Sequence, residues 1–390
     1  MWKHIAANGM SLLIVGFIAF AGAIAWGQRQ YTGAGPLAEA TYFEVARGAS
    51  LAAVSEDLAE AGIISSATIF RLGARYTERA ENLRFGNYEI PAGVSMDEVM
   101  EILSSGAPST FRYSATYVIR GGEGGGEMRL RERIPGTGEM VDLAVFASGE
   151  ELPAAYTALV EDGTPIVYRL AVPEGLTVYQ IVEGMRGADF LVDDVEEDLP
   201  AEGTLAPDTY EVARGTAISE ILTDMADAQT GILLSAWAGR AENLPYDTVE
   251  EALIMASLIE KETGVADERG EIAGVFVNRL EAGMRLQTDP TIIYGESEGR
   301  GFLGRGIRQS ELANGDNPWN TYQIDGLPPT PIANPGRAAI EAAMNPAQTD
   351  YIFFVADGSG GHAFAATLEE HNRNVAEWRR IEAERAAQEN

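Results

Sequence analysis

The sequence predicts an α+β protein with an N-terminal transmembrane helix, a small βααβ module and a larger mixed α/β domain. Three observations predict this architecture. Residues 10–27 form an uncharged apolar run, one strand-turn-helix pattern occurs four times, and a long patterned region follows the fourth copy. The chain has 390 residues, 46% hydrophobic and 22% charged, which suffices for two or three domains with cores of their own.

The composition excludes several classes of function. The 59 acidic residues outnumber the 28 basic ones and give a formal charge of -31, which would repel a nucleic-acid backbone. The chain has no cysteine, so a disulfide framework, a thiolate metal site and a cysteine nucleophile are impossible. Its three histidines are too scattered for a transition-metal site, and we expect neither a metal nor another cofactor.

The uncharged run at residues 10–27 has the length of a membrane span. About 20 apolar residues cross a bilayer, whereas the apolar region of a cleaved signal peptide is shorter. We therefore predict a retained single-pass anchor within residues 1–30, followed by a tether over residues 28–40. Lys3 indicates a cytoplasmic N-terminus. The alternative is a signal peptide cleaved after Ala25, because residues 23–25 have the small-x-small form of a cleavage site.

Four segments share one pattern of apolar residues around a glycine. Two apolar positions, two residues apart, precede the glycine, and further apolar positions follow it after three, six and ten residues. The alternation predicts a strand and the later spacing predicts one helix face, with the glycine turning the chain between them. In three copies a hydroxyl two residues after the glycine can cap the helix, but the fourth copy has alanine there. The glycines are Gly48, Gly93, Gly175 and Gly215, and the cap positions are Ser50, Ser95, Thr177 and Ala217.

These copies suggest how the chain is divided. Residues 41–108 contain the first two copies, with a further helix predicted over residues 67–80, and form a compact module. Residues 109–165 have strand-like patches without a clear period, and we interpret them as an insertion or a β-rich linker. Residues 166–385 begin with the third and fourth copies and end in a charged helix around residues 368–386.

One buried helix is the best candidate for carrying chemistry. Residues 248–263 lack glycine and proline and carry acidic residues in their first turn, as a helix start prefers. Apolar side chains cover nearly every direction around this helix and leave only Ser257 and Lys261 as a polar edge. Glu260 and Glu262 each project onto an apolar flank. Burial raises the pKa of a carboxyl group and lets it deliver a proton at neutral pH, as glycosidic bond cleavage requires.

The helical pattern leaves an alternative open, in which the two glutamates pair with Lys261, Arg269 or Arg279. Downstream loops are rich in amide, hydroxyl, carboxylate and aromatic groups, as a sugar-binding cleft requires, although ordinary turns have a similar composition. These loops lie at residues 285–290, 320–322, 326–329 and 334–336.

Several sequence motifs follow one another in a fixed order. They are SLIEKET at 257–263, FVNRL at 276–280, GMRLQTDPTIIY at 283–294, NTY at 320–322, the loops at 326–329 and 334–336, and FVADGSGGH at 354–362. Together these motifs resemble the YceG-like endolytic murein transglycosylase family. The resemblance covers about residues 166–380, and residues 41–106 resemble the LysM-like module of that family. Residues 111–165 are not accounted for.

The resemblance implies that residues 166–385 form a transglycosylase catalytic domain. The family's catalytic glutamate is the second glutamate of the EKET motif, which is Glu262 here, and Glu260 becomes a supporting or structural residue. Further candidate substrate-binding residues on family motifs are Gln287, Asp289, Asn320, Tyr322, His362 and Asn372.

The implied reaction cleaves the bond between N-acetylmuramic acid and N-acetylglucosamine in nascent peptidoglycan, leaves 1,6-anhydro ends and ends strand elongation. The sugar's own 6-hydroxyl replaces the second carboxylate of an ordinary glycosidase. Two alternatives remain: a muramidase that uses Asp289 as the second carboxylate, and a non-catalytic glycan-binding protein.

The expected location is the inner membrane, with the catalytic domain in the periplasm. The expected partners are glycan strands and the membrane, with peptidoglycan synthases as candidate protein partners.

Overall fold

The chain forms two compact units. The computed structural model describes residues 2–106, 109–122, 125–196 and 198–388, so the predicted module end at residue 108 lies outside the described residues. Both units contain helices and strands, in agreement with the predicted α+β class. The N-terminal unit comprises Met1–Ala115, Leu130–Ala144 and Ala154–Val167, and the C-terminal unit comprises Thr116–Arg129, Val145–Pro153 and Tyr168–Asn390.

The chain begins with a long apolar helix, α1 (Trp2–Thr32). Of the described helices, only this one is long and apolar enough to cross a membrane, over Met10–Thr32 with a mean hydropathy of 2.1. The helix continues beyond residue 27, where the predicted span ended, because Tyr31 in its last turn is buried in the core of the N-terminal unit. The non-helical connection therefore starts only after Thr32, and the predicted tether is shorter than expected.

The first two strand-turn-helix copies fold as predicted. Their strands pair antiparallel with Phe43 opposite Tyr88, and both side chains are buried in one core. The additional helix ends at Tyr76 and not at residue 80, because the chain turns at Glu78, which has a positive φ of 57°. The elements are β1 (Thr41–Val45), α2 (Leu51–Glu60), α3 (Ala67–Tyr76), β2 (Gly86–Ile90) and α4 (Met96–Ser104).

Residues 109–165, predicted as an insertion or a β-rich linker, supply three strands and a helix. The elements are β3 (Tyr113–Ile119), β4 (Gly126–Arg133), β5 (Met140–Ala147) and α5 (Ala154–Glu161). The strands join β6 (Ile166–Ala171) and β8 (Thr209–Val212) in a five-stranded sheet of order β5-β4-β3-β6-β8. Tyr117 and Ile119 on β3 are fully buried, so pairing with a later strand incorporates a segment that shows no clear local period.

The third and fourth copies also fold as predicted. Strands β6 and β8 pair antiparallel with Leu170 opposite Tyr210, and each leads through its glycine into a helix. The charged C-terminal helix is present as well. The remaining elements are α6 (Val178–Arg186), β7 (Leu191–Val192), β9 (Thr216–Ala217), α7 (Ile218–Ala238), α8 (Val249–Glu262), a 3-10 turn (Ala266–Glu268), α9 (Arg269–Glu281), α10 (Asp289–Glu296), α11 (Gln309–Leu312), α12 (Arg337–Met344), β10 (Phe353–Ala356), β11 (His362–Ala365) and α13 (Leu368–Gln388).

The turn chemistry of all four copies agrees with the sequence. The side chains of Ser50, Ser95 and Thr177 each accept a hydrogen bond from the amide three residues later, whereas Ala217 gives its helix no side-chain cap. The four glycines have positive φ angles, 79° at Gly48, 68° at Gly93, 77° at Gly175 and 91° at Gly215.

The core of the C-terminal unit surrounds α8. Met255 and Leu258 on this helix are fully buried with Phe276 on α9 and Ile340 on α12. Because α8 is held on several sides, the direction in which its last residues project is fixed by packing. That end carries the two candidate glutamates.

Candidate active site

Helix α8 delivers Glu260 and Glu262 from a fully buried scaffold. The helix starts with a capping box between Thr248 and Glu251. All residues from 252 to 259 are buried, which confirms the predicted burial. Ser257, expected on a polar edge, is buried too, and its hydroxyl donates to the Ile254 carbonyl at 2.7 Å and accepts from the Ile332 amide at 3.1 Å.

Glu262 lies partly buried at the last turn of α8. The Thr288 hydroxyl donates a hydrogen bond to its Oε1 atom. Burial raises the pKa of the Glu262 carboxyl, and the nearby charge of Asp289 raises it further, while the Thr288 hydrogen bond and the charges of His362 and Arg279 oppose these effects. The negative end of the α8 dipole also disfavours a second negative charge here. The site therefore favours the protonated form that a general acid needs.

Thr288 and Asp289 are presented by the start of α10. Thr288 occupies the N-cap position and proline follows in the first turn, a combination that begins helices. The Tyr322 hydroxyl donates to Asp289 Oδ1 at 2.7 Å. Burial, together with this carboxylate, raises the pKa of Tyr322 well above its ordinary value, so the phenol keeps its proton. One loop and one helix start thus place a hydroxyl, a carboxylate and a phenol beside the same glutamate.

A buried arginine also acts on Glu262. Arg279 on α9 is only 7% exposed, and its guanidinium donates to the carbonyls of Ile352, at 2.8 Å, and Leu286. It lies 5.8 Å from the centre of the Phe354 ring. Because it is bound to carbonyl oxygens and forms no salt bridge with any described carboxylate, its charge remains available to the site and is among those that act on Glu262.

His362 is held by a carboxylate. Its Nδ1 atom lies 2.8 Å from Glu268 Oε2, and its backbone amide donates to Oε1 of the same residue at 2.8 Å. Glu268 belongs to the 3-10 turn directly after α8. The histidine is therefore fixed in orientation next to the end of the candidate helix.

Glu260 has different surroundings from Glu262, although only one residue separates them. Its Oε2 atom accepts from the Gly336 amide at 3.0 Å, just before α12. Burial raises the pKa of this carboxyl as well. Among the described residues, neither glutamate forms an ion pair with Lys261, Arg269 or Arg279, the alternative that the sequence left open.

The remaining predicted site residues differ in accessibility. Gln287, next to Thr288, is exposed and has a positive φ of 51°. Asn372 on α13 is also exposed. Asn320 is fully buried, and its side-chain amide donates to the carbonyls of Glu311 at 3.0 Å and Asn314 at 2.8 Å. Its Oδ1 atom accepts from the Tyr322 amide at 3.1 Å, so Asn320 shapes the loop that carries Tyr322. This burial does not support the predicted direct contact of Asn320 with substrate.

Sequence reasoning missed a third partly buried carboxylate, Glu202. It accepts from the Val178 amide at 3.0 Å, the Asn334 side chain at 3.0 Å and the Tyr294 hydroxyl at 3.3 Å. Burial raises the pKa of Glu202 to about 7 in spite of these hydrogen bonds. The residue lies in a loop without periodicity, so no local signal identifies it. Thr288 could have been found, because a threonine one residue before Asp-Pro is a helix-start pattern.

Across residues 2–106, 109–122, 125–196 and 198–388, no three histidine, aspartate or glutamate side chains are grouped as a metal site would require.

Comparison with known proteins identifies the family. Residues 43–124 and 145–377 match the YceG-like family, which is well over half of the sequence. The chain belongs to this family. The match also covers most of residues 111–165, which the sequence resemblance left unaccounted for, and leaves out 125–144, where most of β4 and β5 lies.

Two relatives of this YceG-like chain carry the name endolytic murein transglycosylase. The one from Streptococcus pneumoniae is 30% identical over 341 residues, which is 85% of this chain but 57% of the relative, so the chain spans little more than half of that protein. The one from Bacillus subtilis is 30% identical over 329 residues, 84% of this chain and 81% of the relative.

A crystal structure of a yceG-like protein from Listeria monocytogenes is 26% identical, with a TM-score of 0.46, and covers 86% of this chain and 98% of that one.

Proposed function

We propose that this protein is an endolytic murein transglycosylase that cuts the bond between N-acetylmuramic acid and N-acetylglucosamine, with Glu262 as its acid/base catalyst. The observation that carries the proposal is the surroundings of Glu262: a carboxyl group whose pKa is raised by burial, held by the Thr288 hydroxyl at the end of a rigid helix. The names of the relatives from two organisms support the same activity.

The proposed reaction uses one carboxyl twice. Thr288 holds Oε1 of Glu262, and no described residue donates a hydrogen bond to Oε2, which leaves that atom for the substrate. The proton of Glu262 passes to the glycosidic oxygen as the bond from that oxygen to C1 of the muramic acid breaks. The 6-hydroxyl of the same sugar then attacks C1 and returns its proton to Glu262. The product ends in a 1,6-anhydro ring, and no water is consumed.

The neighbouring groups have supporting roles in this proposal. The Asp289 carboxylate raises the pKa of Glu262, and its charge would stabilise the positive charge that develops at C1. Tyr322 holds Asp289 through a 2.7 Å hydrogen bond and keeps it from turning away. Arg279 and His362 limit how far the pKa of Glu262 rises, so that the group can also act as a base in the second step.

A muramidase that cuts the same bond with Asp289 as the second carboxylate is the alternative enzyme. Digestion of purified peptidoglycan followed by mass spectrometry distinguishes the two. We expect products lighter by one water molecule than hydrolysis would give. Reducing ends in the product would support the muramidase, and intact strands after long incubation would support a binding protein without catalysis.

We also propose that α1 anchors the protein in the inner membrane, with the N-terminus in the cytoplasm and the C-terminal unit in the periplasm. Its exposed apolar side chains and the absence of charge over residues 10–27 support this. Near the membrane the enzyme would meet strands still attached to peptidoglycan synthases and would end their elongation, with the LysM-like module at residues 41–108 holding glycan. N-terminal sequencing of protein recovered from membranes tests the anchor, because a mature chain that starts near Trp26 would contradict it.

A further inference from the structure

We propose that one face of helix α3 lies on the surface of the bilayer that α1 crosses, as a second membrane contact. This face, the membrane-docking patch, consists of Leu72, Arg75 and Tyr76. The inference rests on the proposed membrane anchorage and adds a binding surface to it. Its ligand is a lipid headgroup layer, recognised by apolar and aromatic side chains beside a cation.

Helix α1 is rigidly joined to the rest of the N-terminal unit. Tyr31, in the last turn of α1, is 6% exposed and belongs to the core of that unit. Its ring lies so close to Gly73 on α3 that a Cβ atom there would be 2.2 Å from Tyr31 Cε2. Only glycine at this position admits the ring. The membrane helix and α3 therefore have a fixed relative orientation.

The short connection after α1 is also held. The Gly35 amide donates to the Gly93 carbonyl at 3.1 Å, and the Gly93 amide donates to the Leu37 carbonyl at 2.8 Å. The segment that leaves the membrane helix is thus bonded to the turn before α4. This arrangement does not act as a flexible tether, so the unit cannot move freely away from the membrane surface.

Helix α3 lies only a short distance from the hydrocarbon core of the bilayer. Trp26 on α1 is 60% exposed, and aromatic residues of this kind mark the membrane–water interface. Tyr31 comes five residues later, which is about 7.5 Å along the helix axis at 1.5 Å per residue. The headgroup region on each side of a bilayer is only about 5–8 Å thick. Helix α3, which contacts Tyr31, therefore lies at the level of the headgroups.

The face of α3 next to the contact between Tyr31 and Gly73 carries large exposed side chains and a cation. Tyr76 and Leu72 lie about 60° and about 100° around the axis of α3 from Gly73. They are 90% and 61% exposed, an unusual exposure for two large side chains on one helix face. Arg75 is exposed on the same side, and no carboxylate of the described residues is in ion-pair contact with it.

A lipid surface fits this combination better than a protein or a glycan does. A protein with a formal charge of -31 is, as a whole, repelled by anionic lipid. Arg75, which has no acidic partner among the described residues, supplies a local positive charge against that repulsion. Tyrosine and leucine bury their apolar atoms among headgroups and upper acyl chains, and the arginine reaches phosphate oxygens. The patch is continuous with the proposed membrane span through Tyr31 and Gly73.

The absence of cysteine from the natural sequence makes a direct test simple. A single Tyr76→Cys variant of the full chain, carrying a nitroxide label, is reconstituted into vesicles of phosphatidylethanolamine and phosphatidylglycerol. Collisions of the label with oxygen, which concentrates in lipid, are compared with collisions with a water-soluble nickel complex. The matched control is Glu56→Cys on α2, where the native glutamate is 59% exposed and its carboxylate pairs with Arg71. Val15→Cys within α1 reports on the anchor itself.

We expect the label at residue 76 to meet oxygen several-fold more often than the nickel complex, and the label at residue 56 to show the opposite preference. Equal, water-like accessibility at both positions, with lipid exposure at residue 15, would overturn the membrane-docking patch and leave the anchor intact. Protection of residue 76 by added glycan strands and not by lipid would overturn it in favour of a glycan-binding face. Water exposure at residue 15 would remove the anchor, and this inference with it.

Discussion

The two pairs of strand-turn-helix copies share one local structure and differ in what surrounds them. In the first pair β1 and β2 run antiparallel, and in the second pair β6 and β8 do the same. Each pair also encloses an intervening segment. Between the first two copies this segment carries α3, which contacts the apolar helix α1, and between the other two it carries Glu202.

The turns of the four copies show where the difference lies. Added Cβ atoms at Gly48, Gly93 and Gly215 would meet no atom within 4 Å, whereas one at Gly175 would lie 3.6 Å from Glu260 Cγ. The Gly175 carbonyl also accepts from Lys261 Nζ at 3.0 Å. Of the four turn glycines, Gly175 is therefore the one that contacts the end of α8 among the described residues. The same motif can pack beside the apolar helix α1 or beside the candidate helix α8, and its neighbours decide which.

The strongest test of this comparison concerns α8, the helix that the third copy supports. We expect Glu262→Gln to lower the rate of glycan cleavage by about 10²- to 10⁴-fold, because an amide fills the same space but cannot donate the proton. Glu260→Gln should lose much less, since its amide oxygen can still accept from Gly336. Release of anhydro-sugar products measures both rates, with thermal unfolding as a folding control. Equal losses in the two variants would contradict the assignment.

A second test uses Glu202, in the segment between the third and fourth copies. Its pKa is raised from the ordinary value of 4.5 to about 7, so between these values the folded protein holds a proton that the unfolded chain has released. The resulting stability is complete below pH 4.5 and is lost as the pH rises through 7, in total about 3 kcal/mol.

We expect the unfolding temperature of the C-terminal unit to fall from pH 5 to pH 8, and to fall less in Glu202→Gln, which cannot titrate. Differential scanning calorimetry of the detergent-solubilised protein at both values makes the comparison. An unchanged pH dependence in the variant would mean that other groups cause it.

A third test compares two turns with similar backbone angles. Gly175→Ala and Gly215→Ala both force alanine into a left-handed conformation, at a cost of about 1–2 kcal/mol in the free energy of unfolding. We expect similar losses of stability, measured by urea unfolding. Only Gly175→Ala should also lower the cleavage rate, because strain in this turn shifts the Gly175 carbonyl that accepts from Lys261 at the end of α8. A matching loss of activity in Gly215→Ala would remove the distinction between the turns.

The smallest expected effect is a gain. Ala217 has backbone angles of φ -71° and ψ 140°, close to those of Thr177, yet it provides no side-chain cap. Ala217→Ser should add the missing hydrogen bond and stabilise the unit by about 0.5–1 kcal/mol. The Ser50→Ala and Ser95→Ala variants should each lose a similar amount of stability. A neutral result at residue 217 alongside losses at the other two would show that β9 pairing prevents capping there.

Local chemistry was predictable because it depends on residues within a few positions of one another. The three hydroxyl caps, the uncapped Ala217 and the buried helix at residues 248–263 all agree with the sequence. Element ends were less accurate. Helix α1 runs to Thr32 because the Tyr31 side chain packs into the core of the N-terminal unit, and no local pattern indicates that contact.

The sequence by itself determined the four turn-and-helix units, the apolar N-terminal helix and the presence of two glutamates at the end of a buried helix. The tertiary structure alone decided that Thr288 holds Glu262, that Gly336 holds Glu260 and that Asn320 supports a loop. It also decided that three strands of residues 109–165 pair with β6 and β8. Apart from the local bond of Asn320, these contacts join groups far apart in the chain, and they form because buried polar groups must find hydrogen-bond partners wherever packing brings them.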